Sequence, residues 1–121
     1  MIIHDAARPL VDKRTVERAV RAAQVFGSCV VCVPESDTVK LAGQSLFIKR
    51  TLDRSEIFRA QTPQAFKRSI IKKAYSAAAA GATDDASLVE AIGGRVKIVE
   101  GSYRNLKITT KEDLKIAEAL L

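Results

Sequence analysis

Apolar positions along this chain follow two spacings, short unbroken runs and longer stretches where they return every three or four residues. The opening run from Met1 to His4 predicts a strand that ends at Asp5 and the loop Ala6-Ala7-Arg8-Pro9, the kind of place where functional groups sit. From about Asp12 to Phe26, Val16, Ala19, Val20 and Ala23 share one helical face, while Lys13, Arg14, Glu17, Arg18 and Arg21 occupy the other. This predicts a surface helix packed on a sheet, stopped at Gly27. The unbroken apolar run 28–33 predicts a strand covered on both faces and ended by Pro34.

Residues 35–53 change character. Asp37 to Leu41, a Gly43-Gln44 turn, and Ser45 to Leu52 read as a two-stranded arm. Such a hairpin is marginal alone in water, so it is expected to pack on something, a second subunit included. After Asp53, a plausible N-cap with Glu56 at the capping-box position, a short helical segment is expected to break at Pro63. Further helices are predicted over about Lys67 to Ala80, over Asp84 to about Ile92 with Thr83 as N-cap, and after Thr110, with Leu114, Ala117, Leu120 and Leu121 facing inward. Strands are predicted at 95–99 and about 105–109. Alternating strands and helices make this an α/β domain with a mostly parallel sheet, one domain over 1–121 without internal repeats.

Composition adds limits more than it adds a function. Hydrophobic residues at 47% and charged residues at 28% describe an ordinary globular chain, which excludes disordered, collagenous and low-complexity classes. Lys and Arg number 20 against 14 Asp and Glu, a net charge of +6. The excess is the same in both halves, so it favours an anionic ligand and does not form a basic tail. Aromatics are only 5% and acids interrupt the bases throughout, which argues against a nucleic-acid partner. No apolar stretch is long enough to span a membrane and no leader pattern opens the chain, so a cytoplasmic protein is expected. Cys29 and Cys32 have C-x-x-C spacing within a strand, where residues three apart point to opposite faces. They are expected to be buried thiols, neither metal ligands nor a disulfide.

The candidate chemistry lies where apolar runs end. Arg8, Arg54 and Lys107 are separated cations beside turns or strand ends, as phosphate-gripping residues often are. Each is equally readable as one of twenty surface bases. Asp5 at a strand end is a candidate Mg²⁺ ligand, or a residue that caps the following turn. His4 beside it invites a triad reading, but no G-x-S-x-G pattern accompanies it and a structural histidine is the plainer account. Asp84 and Asp85 are either a paired acid and base or carboxylates placed at a positive helix end.

Several segments together carry a resemblance. Ile3-His4-Asp5-Ala6-Ala7-Arg8-Pro9, Asp37-Thr38-Val39-Lys40, Thr51-Leu52-Asp53-Arg54-Ser55, Ala60 to Phe66, Thr83 to Glu90, Val99 to Ser102 and Asn105 to Thr109 resemble, in order and spacing, the 2-C-methyl-D-erythritol 4-phosphate cytidylyltransferase family of the non-mevalonate isoprenoid pathway. The resemblance implies a Rossmann-like nucleotidyltransferase (glycosyltransferase-A-like) fold. It also implies transfer of CMP from CTP to methylerythritol phosphate with release of pyrophosphate, a divalent cation such as Mg²⁺, and a homodimer. Carried over by position, Arg54 and Lys107 are the pair that positions the attacking phosphate. Asp5, Arg8, Thr38 and Thr62 are further sugar-phosphate contacts, Asp5 is a candidate metal ligand, and the 35–53 arm lends Thr38 and Arg54 to a neighbouring subunit.

The family's glycine-rich loop for the triphosphate has no counterpart here, because the six glycines are isolated or end a helix at 93–94. The chain is therefore expected to be the C-terminal half of such an enzyme, an incomplete domain that meets CTP only with the missing part and is inactive alone. Ribitol-5-phosphate cytidylyltransferase, and a non-catalytic dimerising or anion-binding module, are the alternatives.

Overall fold

The structure, a computed structural model, describes residues 1–78 and 81–121. Its elements in chain order are β1 (Ile2–Ile3), α1 (Lys13–Phe26), β2 (Ser28–Pro34), β3 (Lys40–Ala42), β4 (Ile48–Thr51), β5 (Phe58–Phe66), α2 (Arg68–Ser76), α3 (Asp85–Ala91), β6 (Lys97–Glu100) and α4 (Lys111–Leu120). The main sheet runs β1-β5-β2-β6, and β3 and β4 form a separate two-stranded sheet.

The predicted α/β class holds, but the sheet is mixed. β5 is antiparallel to both β1 and β2, and β2 and β6 make the parallel pair. The cause is the connection: the chain leaves β2, runs out through the arm and returns directly beside β2, which forces opposite directions without a crossover helix.

β5 itself is the largest departure from the expected elements, since Pro63 was read as ending a helical segment. The register explains how a central strand tolerates it. Val30 faces Gln64 and Cys32 faces Ala60, so residues 61–63 bulge opposite Val31 and Pro63 takes no place in the ladder. The expected strand at 105–109 is also absent. That segment is a loop tied to the first by Ile108 N–H donating to the Ala7 carbonyl at 2.8 Å.

β2 shows why its apolar run is unbroken. Cys29 and Val31 pack with Ala19, Ala23, Ala65 and Val99 under α1. On the opposite face Val30 and Cys32 meet Ala86 of α3, beside a cluster of Phe66, Ile71, Ala74, Leu88 and Val89 that seats α2 and α3. The two cysteines thus lie on opposite faces, free and buried, as the period of two requires. Burial raises both thiols, Cys32 to about 11.

The helix ends follow local chemistry. Asp12 accepts from Thr15 N–H to cap α1, and Gly27 closes it at φ +90, where a Cβ would meet Ile70 Cδ1 at 2.7 Å. Asp84, not Thr83, caps α3, in a reciprocal box with Ser87. Thr110 and Asp113 form the same device on α4. The helix expected to reach Ala80 ends at Ser76, and residues 79–80 lie outside the described part. On α4, Ala117 is buried while Leu114 and Leu121 stay exposed. Arg18, expected among the outward bases of α1, donates instead to Thr15 Oγ1 and to the Glu100 carbonyl, which ties α1 to the end of β6.

The arm appears as expected, a hairpin of β3 and β4 with a 3-10 turn at Gln44–Leu46. Every residue of both strands is exposed. Among the described residues no helix is long and apolar enough to cross a membrane.

Candidate active site

Four segments converge beyond the end of β1: the His4–Arg8 loop, the bulge of β5, the 102–109 loop and the start of α3. Gly101 permits the approach of the third, since a Cβ there would lie 2.5 Å from Gln61 Oε1 and 2.8 Å from Val31 Cγ1.

Side chains stitch these segments together. Asn105, fully buried, donates to the Thr62 carbonyl at 2.8 Å and to Gln61 Oε1 at 3.3 Å. Gln61 in turn donates to the Ser102 carbonyl at 2.9 Å. Gln64 reaches the other way, donating to Asp84 Oδ2 and accepting from Ala86 N–H, both at 2.9 Å. A polar chain orders the first loop: Asp5 N–H donates to Thr62 Oγ1 at 3.0 Å, and Thr62 Oγ1 lies 2.9 Å from His4 Nδ1. The Arg8 carbonyl can only accept, so His4 Nε2 at 3.0 Å must carry a hydrogen. With a neutral ring, Nδ1 then accepts the Thr62 hydroxyl proton. His4 is thus a bracing residue whose two ring nitrogens are taken up by the Arg8 carbonyl and the Thr62 hydroxyl.

Asp5 Oδ2 lies 3.4 Å from Arg8 Nε and 3.4 Å from Lys107 Nζ, one carboxylate oxygen between two cations. Arg8 is mostly buried and also donates from Nη1 to the Asn105 carbonyl at 2.8 Å. Its buried Nε has no hydrogen-bond acceptor. A cavity of about 380 Å³ opens on this group, lined by Asp5, Arg8, Thr62, Gln64, Asp84, Asp85 and Lys107 among others. It therefore carries cations suited to a phosphate and carboxylates and a hydroxyl suited to a polyol.

Of the six residues singled out, the structure brings Asp5, Arg8, Thr62 and Lys107 to one cavity. Thr38 and Arg54 stand apart within one chain: Arg54 follows β4 in a 3-10 turn capped by Asp53 and donates to the Ser36 carbonyl at 3.0 Å. Asp84 and Asp85 line the cavity, yet both have structural partners, Gln64 and the α3 amides for the first and the Tyr75 hydroxyl for the second. Asp5 does not fit a divalent cation. Its Oδ2 is held by two cations, and among the described residues no three His, Cys, Asp or Glu side chains gather as a ligand set. Gln61, Gln64 and Asn105 were missed as site-building residues. They stand among other polar residues, Arg59, Thr62, Arg104 and Lys107, so nothing in the local pattern marks them as buried.

Solved structures share this fold. The 2-C-methyl-D-erythritol 4-phosphate cytidylyltransferase of Thermus thermophilus is similar with a TM-score of 0.88 at 38% identity, over 98% of this chain and 60% of that one. The Francisella tularensis enzyme of the same name gives a TM-score of 0.90 at 33% identity, over 99% and 58%. The fold is the α/β nucleotidyltransferase fold. A relative from Pelotomaculum thermopropionicum, named 2-C-methyl-D-erythritol 4-phosphate cytidylyltransferase, is 48% identical over 124 residues, which cover 100% of this chain and 52% of the relative. One from Geobacillus kaustophilus, with the same name, is 49% identical, covering 100% and 54%. The model of the 2-C-methyl-D-erythritol 4-phosphate cytidylyltransferase family matches residues 1–121, and the chain belongs to that family. The chain spans about half the length of the curated relatives it matches.

Proposed function

We propose that these 121 residues supply the sugar-phosphate site of a cytidylyltransferase acting on 2-C-methyl-D-erythritol 4-phosphate. An oxygen of the sugar phosphate attacks the α-phosphorus of CTP, the bond to the β-phosphate breaks, and pyrophosphate leaves with that electron pair. Such a transfer needs positioning and charge stabilisation more than a nucleophilic side chain. The observation that carries the reading is the shared carboxylate. Arg8 and Lys107 converge on one Asp5 oxygen, so two cations stand side by side where a phosphate could bridge them. Thr62 and Asp5 face the same cavity for the polyol.

Arg54 and Thr38 belong to this reading as residues given by the arm of a second copy, with Arg54 joining Lys107 on the attacking phosphate. The exposure of Leu46, Phe47 and Ile48 supports an arm that is covered in a homodimer. CTP is the co-substrate, and its triphosphate is held by polypeptide beyond these residues, as the absence of a glycine-rich run in this chain suggests. A divalent cation would have to be held by that polypeptide or by CTP.

The test is kinetic, in a full-length enzyme carrying these residues. Lys107→Ala should lower kcat/KM by roughly 30- to 1,000-fold with the melting temperature kept, Arg8→Ala should lower it as much and also cost about 1–3 kcal/mol of stability through the lost bond to the Asn105 carbonyl, while Lys13→Ala on the outer face of α1 is silent. Mixing inactive Arg54→Ala and Lys107→Ala copies should restore part of the activity, because one mixed site holds both cations. Wild-type kcat/KM in Lys107→Ala would end this reading, and failure of the mixture to recover activity would end the exchange of arms.

A further inference from the structure

The base of the arm holds a side chain that the site reading does not use. Glu35 directly follows β2, and only 11% of its side chain is exposed. Its Oε1 accepts from the backbone N–H of Ser36 at 2.9 Å and of Asp37 at 3.1 Å. Its Oε2 lies 3.5 Å from Arg59 Nε. The Arg59 guanidinium sits 5.8 Å from the centre of the Tyr103 ring, and the Tyr103 hydroxyl donates to the Pro34 carbonyl at 2.6 Å. Glu35 N–H also donates to the Ile57 carbonyl at 2.9 Å. These contacts close a ring through residues 34–37, the start of β5 and the loop that carries Lys107 four residues after Tyr103.

We propose that Glu35 is a positioning residue that clamps the root of the arm to the Lys107 loop through Arg59 and Tyr103. The arm needs such a clamp because β3 and β4 bury nothing on the body. Thr38 lies one residue beyond the turn that Glu35 holds, and Arg54 donates to the carbonyl of Ser36 within that turn. One carboxylate therefore sets the direction in which both residues leave the body. Arg59, Tyr103 and Lys107 also line one cavity of about 290 Å³, so the clamp and the cationic site share a wall. An isolated surface ion pair does little. This one differs because the same carboxylate accepts two backbone N–H groups and its cation lies within cation–π range of an aromatic ring, which ties it on both sides.

The clamp itself is independent of the reaction, whereas its effect on turnover rests on the roles proposed above for Thr38 and Arg54. Two readouts separate them. For the clamp, spin labels are placed on Leu46→Cys at the arm tip and Val25→Cys on α1, both exposed, with the native thiols buried and the labelled chain diluted into unlabelled chain. The clamped arm gives one narrow distance distribution. Glu35→Ala should broaden it about two-fold and expose the Ser36 and Asp37 amides to exchange, as expected for a locally opened segment. Glu35→Gln keeps an acceptor for those amides while losing the charge facing Arg59, and should fall between. Lys13→Ala, which breaks the exposed Lys13–Glu17 pair, should change nothing. An unchanged distribution with unchanged amide protection in Glu35→Ala overturns the clamp. In the full-length enzyme Glu35→Ala should lower kcat/KM by about 10- to 100-fold with partial rescue in Glu35→Gln, the scale of a misplaced substrate contact. A broadened arm with wild-type kcat/KM would overturn the link to Thr38 and Arg54 and leave the clamp standing.

Discussion

The body and the arm of this molecule both carry apolar side chains but hold them in opposite ways. β2 buries Cys29 through Val33 between helices on two faces, whereas Leu46, Phe47 and Ile48 of the arm are 89%, 76% and 64% exposed. The body is thus stabilised by its own core and the arm is held by polar contacts at its root. Apolar composition alone does not say where a segment gains its stability. That depends on whether another element lies across its face.

The widest contrast should come from two phenylalanines. Phe66→Ala removes a fully buried ring from the cluster of Ile71, Ala74, Leu88 and Val89 and should cost about 3–5 kcal/mol in chemical unfolding. Phe47→Ala on the arm should stay within about 0.5 kcal/mol in dilute chain. Equal losses would show that the arm has a core contact of its own. A smaller effect is expected at the junction: Asn105→Ala leaves the buried Thr62 carbonyl without its donor and should cost about 1–3 kcal/mol. That loss should be read in the body transition and leave arm amide exchange unchanged.

The finest comparison is between two capping carboxylates. Hydrogen bonds from Thr109 and Thr110 hold Asp113 down to about 2 from an ordinary 3.8, and bonds from Ser55 lower Asp53 on the arm root. A lowered carboxyl stabilises the fold fully above its unfolded value and loses that effect as pH falls through its folded value. The melting temperatures of wild type and Asp113→Asn should therefore differ near neutral pH and converge as pH drops from about 4 toward 2. Asp53→Asn should leave the body melt alone at every pH and act only on amide exchange near residue 55. Parallel melting curves for Asp113→Asn across the whole range would remove the carboxylate from the cap.

What the sequence disclosed follows the range of the interaction involved. Helix α1 with Gly27, the Thr110 cap of α4 and the hairpin arm rest on neighbours within a few residues, and β2, though covered by α1 and by the distant α3, shows its two buried faces in an unbroken apolar run; all were readable. Pro63 misled because its missing N–H argues against a central strand, and only the partner register shows that the bulge opposite Val31 excuses it. The direction of β5 and the loop at 105–109 were likewise fixed by distant partners. In the site, six residues were legible from motifs, of which Asp5, Arg8, Thr62 and Lys107 line one cavity while Thr38 and Arg54 belong to the arm. Gln61, Gln64 and Asn105 were not, because a buried amide is recognisable only once the carbonyls it serves are in place.

The strand order has a consequence for how the chain acquires its shape. β1 and β2 are both hydrogen-bonded to β5 and not to each other, with Ile2 opposite Ala65 and Cys29 opposite the same residue. Neither strand can reach its β5 partner until residues 58–66 have been made. Each closure then spans tens of residues, an entropic cost met before any sheet contact offsets it. The hairpin arm, made of local contacts, can form in microseconds and dissolve as readily. Folding should therefore be slow and all-or-none in the body and fast and reversible in the arm, with β5 as the step on which assembly turns.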